Sequence, residues 1–249
     1  MKRFQDKTVL VTGGNSGIGL AAARAFAAEG ARVVITGRDD LSLDRAATLI
    51  GPGTLTLRYE ASEPAAAAGL ADAVQAQGLT LDAAFMNAGV ALFSPFESVD
   101  AAFWERSMRI NVQAPYFAIQ ALLPLFNTGA AIVLTGSINA HIGMPGSSVY
   151  AASKAALISL AKTLSGELLG RGIRVNVISP GPIATPLHGW DASSPDKEPP
   201  GAAATRALIP LKRFGTAHEA ASAALYLASD DAAFIVGTEL VVDGGMSQL

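Results

Sequence analysis

Short apolar runs rich in β-branched residues alternate along the chain with longer stretches rich in alanine and leucine. The runs include TVLVT (8–12), RVVIT (32–36), AIVLT (131–135) and IRVNVIS (173–179). Nearly continuous apolar strands that alternate with helices are typical of a parallel sheet covered on both faces. The pattern therefore predicts an α/β fold, a doubly wound parallel sheet of about seven strands flanked by helices on both faces.

The length of 249 residues suits one sizeable core, so we expect a single domain over residues 1–249. One stretch, residues 188–207, departs from the alternation and is rich in Pro, Gly, Ser and Ala. A segment of this length without regular structure is usually a lid or binding loop, so we assign a substrate-binding loop to about residues 186–209. The alternative is a surface insertion.

Charge and composition argue against several functional classes. The net charge is −3 at pH 7 and the 18 basic residues are scattered, so no nucleic-acid partner is expected. There is no cysteine, and His141, His188 and His218 have unrelated spacings, so neither a disulfide nor a metal site is predicted. The amino terminus lacks a signal-peptide core, and no uncharged apolar run reaches the ~18 residues of a membrane span. We expect a soluble, cytoplasmic protein without a membrane partner.

A glycine-rich segment, TGGNSGIG at residues 12–19, follows the first predicted strand and precedes an alanine-rich helix. Glycines in this position permit a tight turn, close approach of the backbone to a pyrophosphate, and close packing of helix on strand. The helix amino terminus then offers N–H groups and a positive dipole end to an anion. No lysine follows the glycines, which disfavours a nucleotide-hydrolysing P-loop. We therefore predict a Rossmann-type dinucleotide site, the alternative being an ordinary glycine-rich turn. The predicted cofactor-binding residues of this segment are Gly13, Asn15, Ser16, Gly17, Ile18 and Gly19.

Tyr150 and Lys154 lie four residues apart, a spacing that places two side chains on one face of a helix. A neighbouring ammonium favours the phenolate, and lowering a tyrosine pKa from ~10 to about 7 requires ~4 kcal/mol of such stabilisation. Ser137 stands at the end of an apolar run upstream, and the three groups could bind and protonate a carbonyl oxygen. Taken alone, the pair favours a structural interpretation, a half-buried tyrosine with a lysine stem beside it.

Five features follow one another along the chain: TGGNSGIG, Asn87-Ala88-Gly89, Ser137, Tyr150-Ala-Ala-Ser-Lys154 and Pro180-Gly181. In order and spacing they resemble the short-chain dehydrogenase/reductase family, from about residue 7 to residue 245. The resemblance implies an oxidoreductase in which Ser137 binds a substrate carbonyl oxygen and Tyr150 transfers a proton to it. It also implies that Lys154 lowers the Tyr150 pKa, helped by the oxidised nicotinamide, and orients the cofactor ribose.

The residues after the second predicted strand bear on the choice of cofactor. In dinucleotide-binding folds an acidic residue there binds the ribose 2′-hydroxyl, whereas an arginine accommodates a 2′-phosphate. Gly37 stands where the carboxylate would be and Arg38 follows it, so we predict NADP(H). The alternative is that Arg38 is a solvated loop charge; Asp39 and Asp40 are expected to cap the next helix. The resemblance further implies cofactor contacts from Glu60, where the family more often has aspartate, and from Ala61, Asn87, Ala88, Gly89, Tyr150, Lys154, Pro180, Gly181, Ile183 and Thr185.

Pro115 interrupts a helix that is predicted to begin near Asp100. Because proline has no N–H, it cannot donate to the carbonyl of Asn111 four residues earlier, which leaves that carbonyl free. In the family that the chain resembles, the matching carbonyl holds a water that links the active-site lysine to solvent. We therefore predict Asn111 as a fourth catalytic residue, the alternative being a structural kink.

The predicted substrate pocket is mostly apolar, and no arginine cluster suited to a phosphate or carboxylate substrate is evident. We expect a ketone or secondary alcohol substrate, with room for bulky groups beside the loop of small residues. The alternatives are a sugar or polyol dehydrogenase, a 3-oxoacyl thioester reductase, and a dinucleotide-sensing regulatory protein. The resemblance favours a homotetramer. Besides Ser137 and Tyr150, the predicted pocket residues are Val90, Leu92, Asn139, His141, Met144, Leu187 and Trp190.

Overall fold

The computed structural model describes residues 2–63, 65–190 and 198–249. Its strands are β1 (Thr8–Thr12), β2 (Arg32–Gly37), β3 (Leu55–Arg58), β4 (Leu81–Met86), β5 (Phe126–Thr135), β6 (Arg174–Pro180), β7 (Ile183–Ala184), β8 (Gly215–Thr216) and β9 (Glu239–Val242). Its helices are α1 (Gly17–Ala28), α2 (Asp40–Ile50), α3 (Ala66–Ala76), α4 (Ala101–Met108), α5 (Ala114–Leu122), α6 (Ser148–Leu168), α7 (Ala202–Leu208) and α8 (Ala217–Ala228). Seven strands form one parallel sheet in the order β3-β2-β1-β4-β5-β6-β9, which confirms the predicted Rossmann-like architecture.

The central strands are apolar because helices cover both of their faces. Alternate residues of a strand point to opposite faces. Val9 and Val11 of β1 therefore join one core with Phe26 of α1, and Leu10 joins the other core with Leu122 of α5. Helices α1, α2 and α8 cover the first face, whereas α3, α5 and α6 cover the second. Within the described ranges, no helix is both long and apolar enough to cross a membrane.

The order of the strands reverses beside β1. The chain runs outward from β1 through β2 to β3, and then returns to form β4 on the other side of β1. In open parallel sheets, ligands bind outside the carboxyl ends of the strands at such a reversal. The glycine-rich segment 12–19 follows β1 and residues 87–89 follow β4, so both lie at this crevice.

A second sheet, which the sequence pattern did not predict, pairs β7 with β8. It joins the chain after β6 to the chain before α8, so the predicted substrate loop, residues 186–209, lies between two paired strands. Residues 191–197 of that loop lie outside the described residues. The prediction that residues 188–207 lack regular structure is wrong near its end, because the helix-forming sequence AAATRAL builds α7.

Helix α1 packs closely against the end of β1 because Gly19 has no side chain. A Cβ at Gly19 would overlap the carbonyl oxygen of Gly13 and lie 2.6 Å from Nδ2 of Asn87. Neither neighbour is the free end of a long side chain that could move aside. The packing therefore requires glycine at this position.

We expect Gly19→Ala to lower the free energy of unfolding by about 1–3 kcal/mol, the usual cost of forcing extra atoms into a packed interior. Urea unfolding followed by circular dichroism measures this change. Gly69→Ala in α3 is the matched control, because a Cβ there meets nothing within 4 Å. That variant should gain ~0.5–1 kcal/mol, since alanine is the better helix former. Equal effects of the two substitutions would contradict the packing role of Gly19.

Candidate active site

A cavity of about 470 Å³ opens at the carboxyl ends of β1, β2 and β4, where the strand order reverses. It brings most of the predicted cofactor-binding residues together with Tyr150 and Lys154. The predicted residues that line it are Gly13, Asn15, Ser16, Gly17, Ile18, Gly37, Arg38, Glu60, Ala61, Asn87, Ala88, Gly89, Val90, Tyr150, Lys154, Thr185 and Leu187.

The glycine-rich segment presents backbone rather than side chains to the cavity. Gly13 and Gly17 have φ angles of 64° and 53°, a conformation that residues with side chains rarely adopt. α1 begins at Gly17, and the Ser16 side chain does not cap its N–H groups. Asn87 holds the segment to β4, because its Nδ2 donates to the carbonyls of Thr12 and Gly13 at 3.2 and 3.4 Å. Such a backbone cradle at a helix amino terminus fits the pyrophosphate of a dinucleotide.

At the end of β2, the exposed Arg38 is followed by Asp39, whose carboxylate already accepts a hydrogen bond. Asp39 accepts a hydrogen bond from the Ser42 N–H at 2.8 Å, which confirms Asp39 as the N-cap of α2, with Asp40 as the first helical residue. Asn15 Nδ2 donates to the Ser42 hydroxyl at 2.9 Å. Arg38 is exposed at the cavity, and its guanidinium makes no hydrogen bond or ion pair with another described residue. The Arg38 guanidinium is thus available to bind a ligand, whereas the Asp39 carboxylate already accepts the hydrogen bond that caps α2.

Glu60 lines the cavity, but its carboxylate is bonded to its own loop. Oε1 accepts hydrogen bonds from the N–H and the hydroxyl of Ser62 at 3.1 and 2.8 Å. Burial acts to raise the Glu60 pKa, but the hydrogen bonds from Ser62 and the charges of Arg38 and Arg58 together leave the pKa lowered. Glu60 is therefore a fixed anion at the wall, and its contact with the cofactor stays a prediction.

The Lys154 ammonium is buried at the end of β5. Nζ donates to the carbonyl oxygen of Thr135 at 2.8 Å and lies 5.7 Å from the centre of the Tyr150 ring. Only 4% of Lys154 is exposed. Because burial penalises the charged form, it lowers the pKa of Lys154 to about 8. Lys154 is thus mostly protonated at neutral pH, although burial makes it lose its proton at a lower pH than an exposed lysine does.

Tyr150 differs from the sequence-based expectation in the direction of its pKa shift. Burial raises the pKa of Tyr150, and a hydrogen bond with Ser137 offsets only part of that effect. Removing the phenol from water penalises the phenolate, and the ammonium of Lys154 does not compensate for that penalty. In the protein alone, Tyr150 is therefore a neutral phenol at pH 7, the form that can donate a proton.

Asn111 lies in a π-helical turn, Arg109–Gln113, between α4 and α5. The Ala114 N–H donates to the carbonyl of Arg109, five residues earlier. The interruption expected from Pro115 therefore takes the form of a π turn, a feature that is frequent at functional sites.

The Asn111 side chain is a buried junction between two segments of the site. Oδ1 accepts from the Val90 N–H at 2.8 Å, and Nδ2 donates to the Val90 carbonyl at 2.9 Å and to the Ser153 hydroxyl at 3.0 Å. Ser153 in turn donates to the Tyr150 carbonyl at 2.7 Å. One amide therefore joins the loop after β4 to the turn of α6 that carries Tyr150.

Four of the predicted cofactor contacts are Pro180, Gly181, Ile183 and Thr185, and of these Thr185 lines the cavity. Pro180 ends β6 and pairs with Val242, and the Gly181 N–H donates to the Val242 carbonyl at 2.9 Å. Ile183 is buried in β7. These three residues set the course of the segment that leads to Thr185, and their own cofactor contacts stay predictions.

The predicted substrate residues divide into two groups. Val90 and Leu187 line the cavity together with Tyr150. Ser137 is absent from the wall, but its hydroxyl acts to lower the Tyr150 pKa, against the effect of burial. The predicted residues that do not line the cavity are Leu92, Asn139, His141, Met144 and Trp190.

Two residues of this second group interact with other side chains of the protein. His141 Nε2 lies 2.7 Å from Oε1 of Glu239, which begins β9. The Trp190 ring packs on Phe214 with the ring centres 5.7 Å apart. Direct contact of either residue with substrate stays a prediction.

Phe93 and Ser153 are residues of the site that the sequence interpretation did not single out. The Phe93 ring lies edge-on to that of Tyr150, with ring centres 5.6 Å apart. Phe93 belongs to an apolar segment that directly follows Asn87-Ala88-Gly89, and this position in the sequence could have marked it as a residue of the site. Ser153 stands within the segment Tyr150-Ala-Ala-Ser-Lys154, but its role depends on contact with Asn111, which the sequence does not show.

These features define a Rossmann-like α/β protein whose cleft suits a dinucleotide, and comparisons with known proteins narrow the class. A family model described as enoyl-(acyl carrier protein) reductase matches residues 13–247. D-threitol dehydrogenase of Mycolicibacterium smegmatis is 37% identical over 250 residues, which cover 98% of this chain and 94% of that protein. 3beta-hydroxysteroid dehydrogenase 1 of Eggerthella lenta is 35% identical over 251 residues, with coverage of 98% and 95%.

A solved structure of a short chain dehydrogenase from Burkholderia cenocepacia, in complex with NADP, matches with a TM-score of 0.86 and 31% identity. The match covers 98% of this chain and 99% of that one. The chain therefore belongs to the short-chain dehydrogenase/reductase family of oxidoreductases. This family uses nicotinamide dinucleotide cofactors.

We expect the stability of the protein to depend on pH through Lys154. The Lys154 pKa is about 8 in the folded protein against an ordinary value of 10.5, so between these values only the unfolded chain holds the proton. Its contribution to the free energy of unfolding rises by ~3 kcal/mol as pH increases through this window, and is lost as pH falls through the folded pKa. Urea unfolding of wild type and Lys154→Met across the window measures this gain.

Lys162→Met, at an exposed position of the same helix, controls for the general loss of a positive charge. We expect wild type to gain stability relative to Lys154→Met as pH rises, and Lys162→Met to follow wild type. If the free energies of unfolding of wild type and Lys154→Met instead differ by the same amount across the window, a charged lysine is not buried at this position.

Proposed function

We propose that the protein is an NADP(H)-dependent oxidoreductase that transfers hydride reversibly between the nicotinamide and a ketone or secondary alcohol. The observation that carries this proposal is a shared cavity, in which the Tyr150 phenol and the Lys154 ammonium lie with the glycine-rich segment 12–19. A phenol that burial keeps neutral, with a cation beside it, is a suitable general acid for a carbonyl oxygen.

Arg38 supports NADP(H) as the cofactor rather than NAD(H). It is open to the cavity at the end of β2, where a 2′-phosphate would need a cation. Gly37 has no side chain to bind a 2′-hydroxyl, and the Asp39 carboxylate is held by the Ser42 N–H. The relative from Burkholderia cenocepacia, solved in complex with NADP, supports the same choice.

The cofactor, when bound, supplies the hydride in reduction and accepts it in oxidation. In reduction, Tyr150 donates its phenolic proton to the carbonyl oxygen, and the Ser137 hydroxyl donates a hydrogen bond to the same oxygen. Lys154 stabilises the resulting phenolate, and the Thr135 carbonyl holds its Nζ in position at 2.8 Å. In oxidation the phenolate accepts the proton of the alcohol.

Asn111 is assigned to the path that returns the proton to Tyr150. A Cβ at Gly89 would lie 3.1 Å from Asn111 Oδ1 and 3.4 Å from Lys154 Nζ, so the space above Gly89 adjoins both residues. The π turn changes the usual hydrogen bonding of the Asn111 backbone. In this proposal, the Asn111 carbonyl holds a water that connects Lys154 to solvent.

The cavity wall favours substrates with bulky apolar substituents. Val90 and Leu187 line it, and 59% of Leu187 is exposed. Among the described residues, Arg38 is the one arginine in the wall, and it is assigned to the cofactor, which disfavours a phosphate or carboxylate substrate. The relatives named for D-threitol and a 3beta-hydroxysteroid support a polyol or a steroid alcohol as the alternative.

The decrease of NADPH absorbance with small, bulky aliphatic and aryl ketones tests this proposal. We expect a higher kcat/KM with NADPH than with NADH. Tyr150→Phe should lower turnover by about 10²–10⁴-fold, because it keeps the ring and removes the acid. Tyr226→Phe changes a partly exposed tyrosine of α8 in the same way and should keep wild-type turnover.

Normal turnover in Tyr150→Phe would reject the mechanism, and a higher kcat/KM with NADH than with NADPH would reject NADP(H) as the assigned cofactor. Tight NADPH binding without reduction of any ketone would favour the dinucleotide-sensing alternative.

A further inference from the structure

The loop that follows β4 is fixed at both ends beside Tyr150. At one end, the N–H and the carbonyl of Val90 are both bonded to the Asn111 side chain, at 2.8 and 2.9 Å. At the other end, the Ser94 N–H donates to the Gly146 carbonyl at 2.9 Å. Because the segment between these bonds is short, the backbone itself restricts where the Phe93 side chain can lie.

Phe93 packs one part of its ring on Tyr150 and leaves the rest open. The two ring centres are 5.6 Å apart and the planes are inclined by 63°, yet 52% of Phe93 is exposed. Phe26 and Phe85, by contrast, are fully buried in the core. An exposed aromatic surface gains free energy when another apolar group covers it. The open part of Phe93 is therefore a binding surface next to the residue assigned as the proton donor.

We propose that Phe93 is a specificity-determining residue, whose exposed ring packs against the larger substituent of the ketone and favours an aromatic substituent. This inference rests on the proposed function, in which Tyr150 meets the carbonyl oxygen. A ring bonded to the carbonyl carbon would lie close to the neighbours of Tyr150. Aromatic rings pair edge-to-face or offset with centres about 4.5–7 Å apart, so a substrate ring extends the packing already present between Phe93 and Tyr150.

Leu187 supplies apolar surface from a different segment of the chain. It lies in the short turn Pro186–His188, lines the cavity with Tyr150, and is 59% exposed. Phe93, which packs on Tyr150, and Leu187, which lines the same cavity as Tyr150, are thus two exposed apolar side chains from separate segments. Neither can hydrogen-bond to a hydroxyl group, so the pair suits an aryl ketone better than a polyol.

The test compares acetophenone with cyclohexyl methyl ketone, which are similar in size and differ in whether the ring is aromatic. Phe93→Leu keeps an apolar side chain and removes the ring. We expect it to lower the ratio of kcat/KM for acetophenone to that for cyclohexyl methyl ketone by about 3- to 10-fold relative to wild type. Phe93→Tyr keeps the ring and should keep the wild-type ratio. A purely structural role would lower both kcat/KM values alike and leave the ratio unchanged.

Phe96→Leu is the matched control, because Phe96 follows closely in the chain and is 83% exposed. It should leave the ratio unchanged, and NADPH fluorescence titration verifies that each variant still binds cofactor. An active wild type with the same ratio in Phe93→Leu overturns the inference and leaves the proposed function intact. Failure of wild type to reduce any ketone overturns the proposed function and this inference with it.

Discussion

The hydrogen bond from Lys154 Nζ to the Thr135 carbonyl, 2.8 Å long, fixes α6 against the end of β5. A buried ammonium needs such a partner, because an unpaired charge away from water is strongly unfavourable. The carbonyl at the end of β5 provides it at the edge of the sheet where the cleft opens. Since Tyr150 lies one helical turn before Lys154, the same bond also sets the position of the phenol.

Asn111 connects this pair to the rest of the cleft. Its side chain bonds to both backbone groups of Val90 and to Ser153, and Ser153 bonds to the Tyr150 carbonyl. The segments after β4 and around Tyr150 therefore form one hydrogen-bonded unit. Burial within this unit shifts the pKa of Lys154 down and that of Tyr150 up, so each group is driven toward its neutral form. A neutral phenol beside a cation suits proton donation, which links the packing of the fold to the proposed chemistry.

Features that depend on local sequence could be predicted, and features that depend on distant contacts could not. The apolar runs predicted the parallel sheet, and Asp39 was correctly predicted to cap α2. The strands β7 and β8 have two residues each, too few to produce a periodic pattern. Pro115 predicted a break in the helix, but whether the break becomes a π turn depends on how Asn111 is held. The direction of the Tyr150 pKa shift depends on burial, and His141 pairs with Glu239 from a distant part of the chain.

The ionisation of Tyr150 in the cofactor-free protein can be measured directly by the ultraviolet absorbance of the phenolate. The chain has four tyrosines, so the signal of Tyr150 is the component that disappears in Tyr150→Phe. We expect that component to ionise above pH 10.0, the ordinary tyrosine pKa, because burial outweighs the hydrogen bond with Ser137. A Tyr150 phenolate already present near neutral pH would contradict the conclusion that the fold holds this phenol protonated as a proton donor.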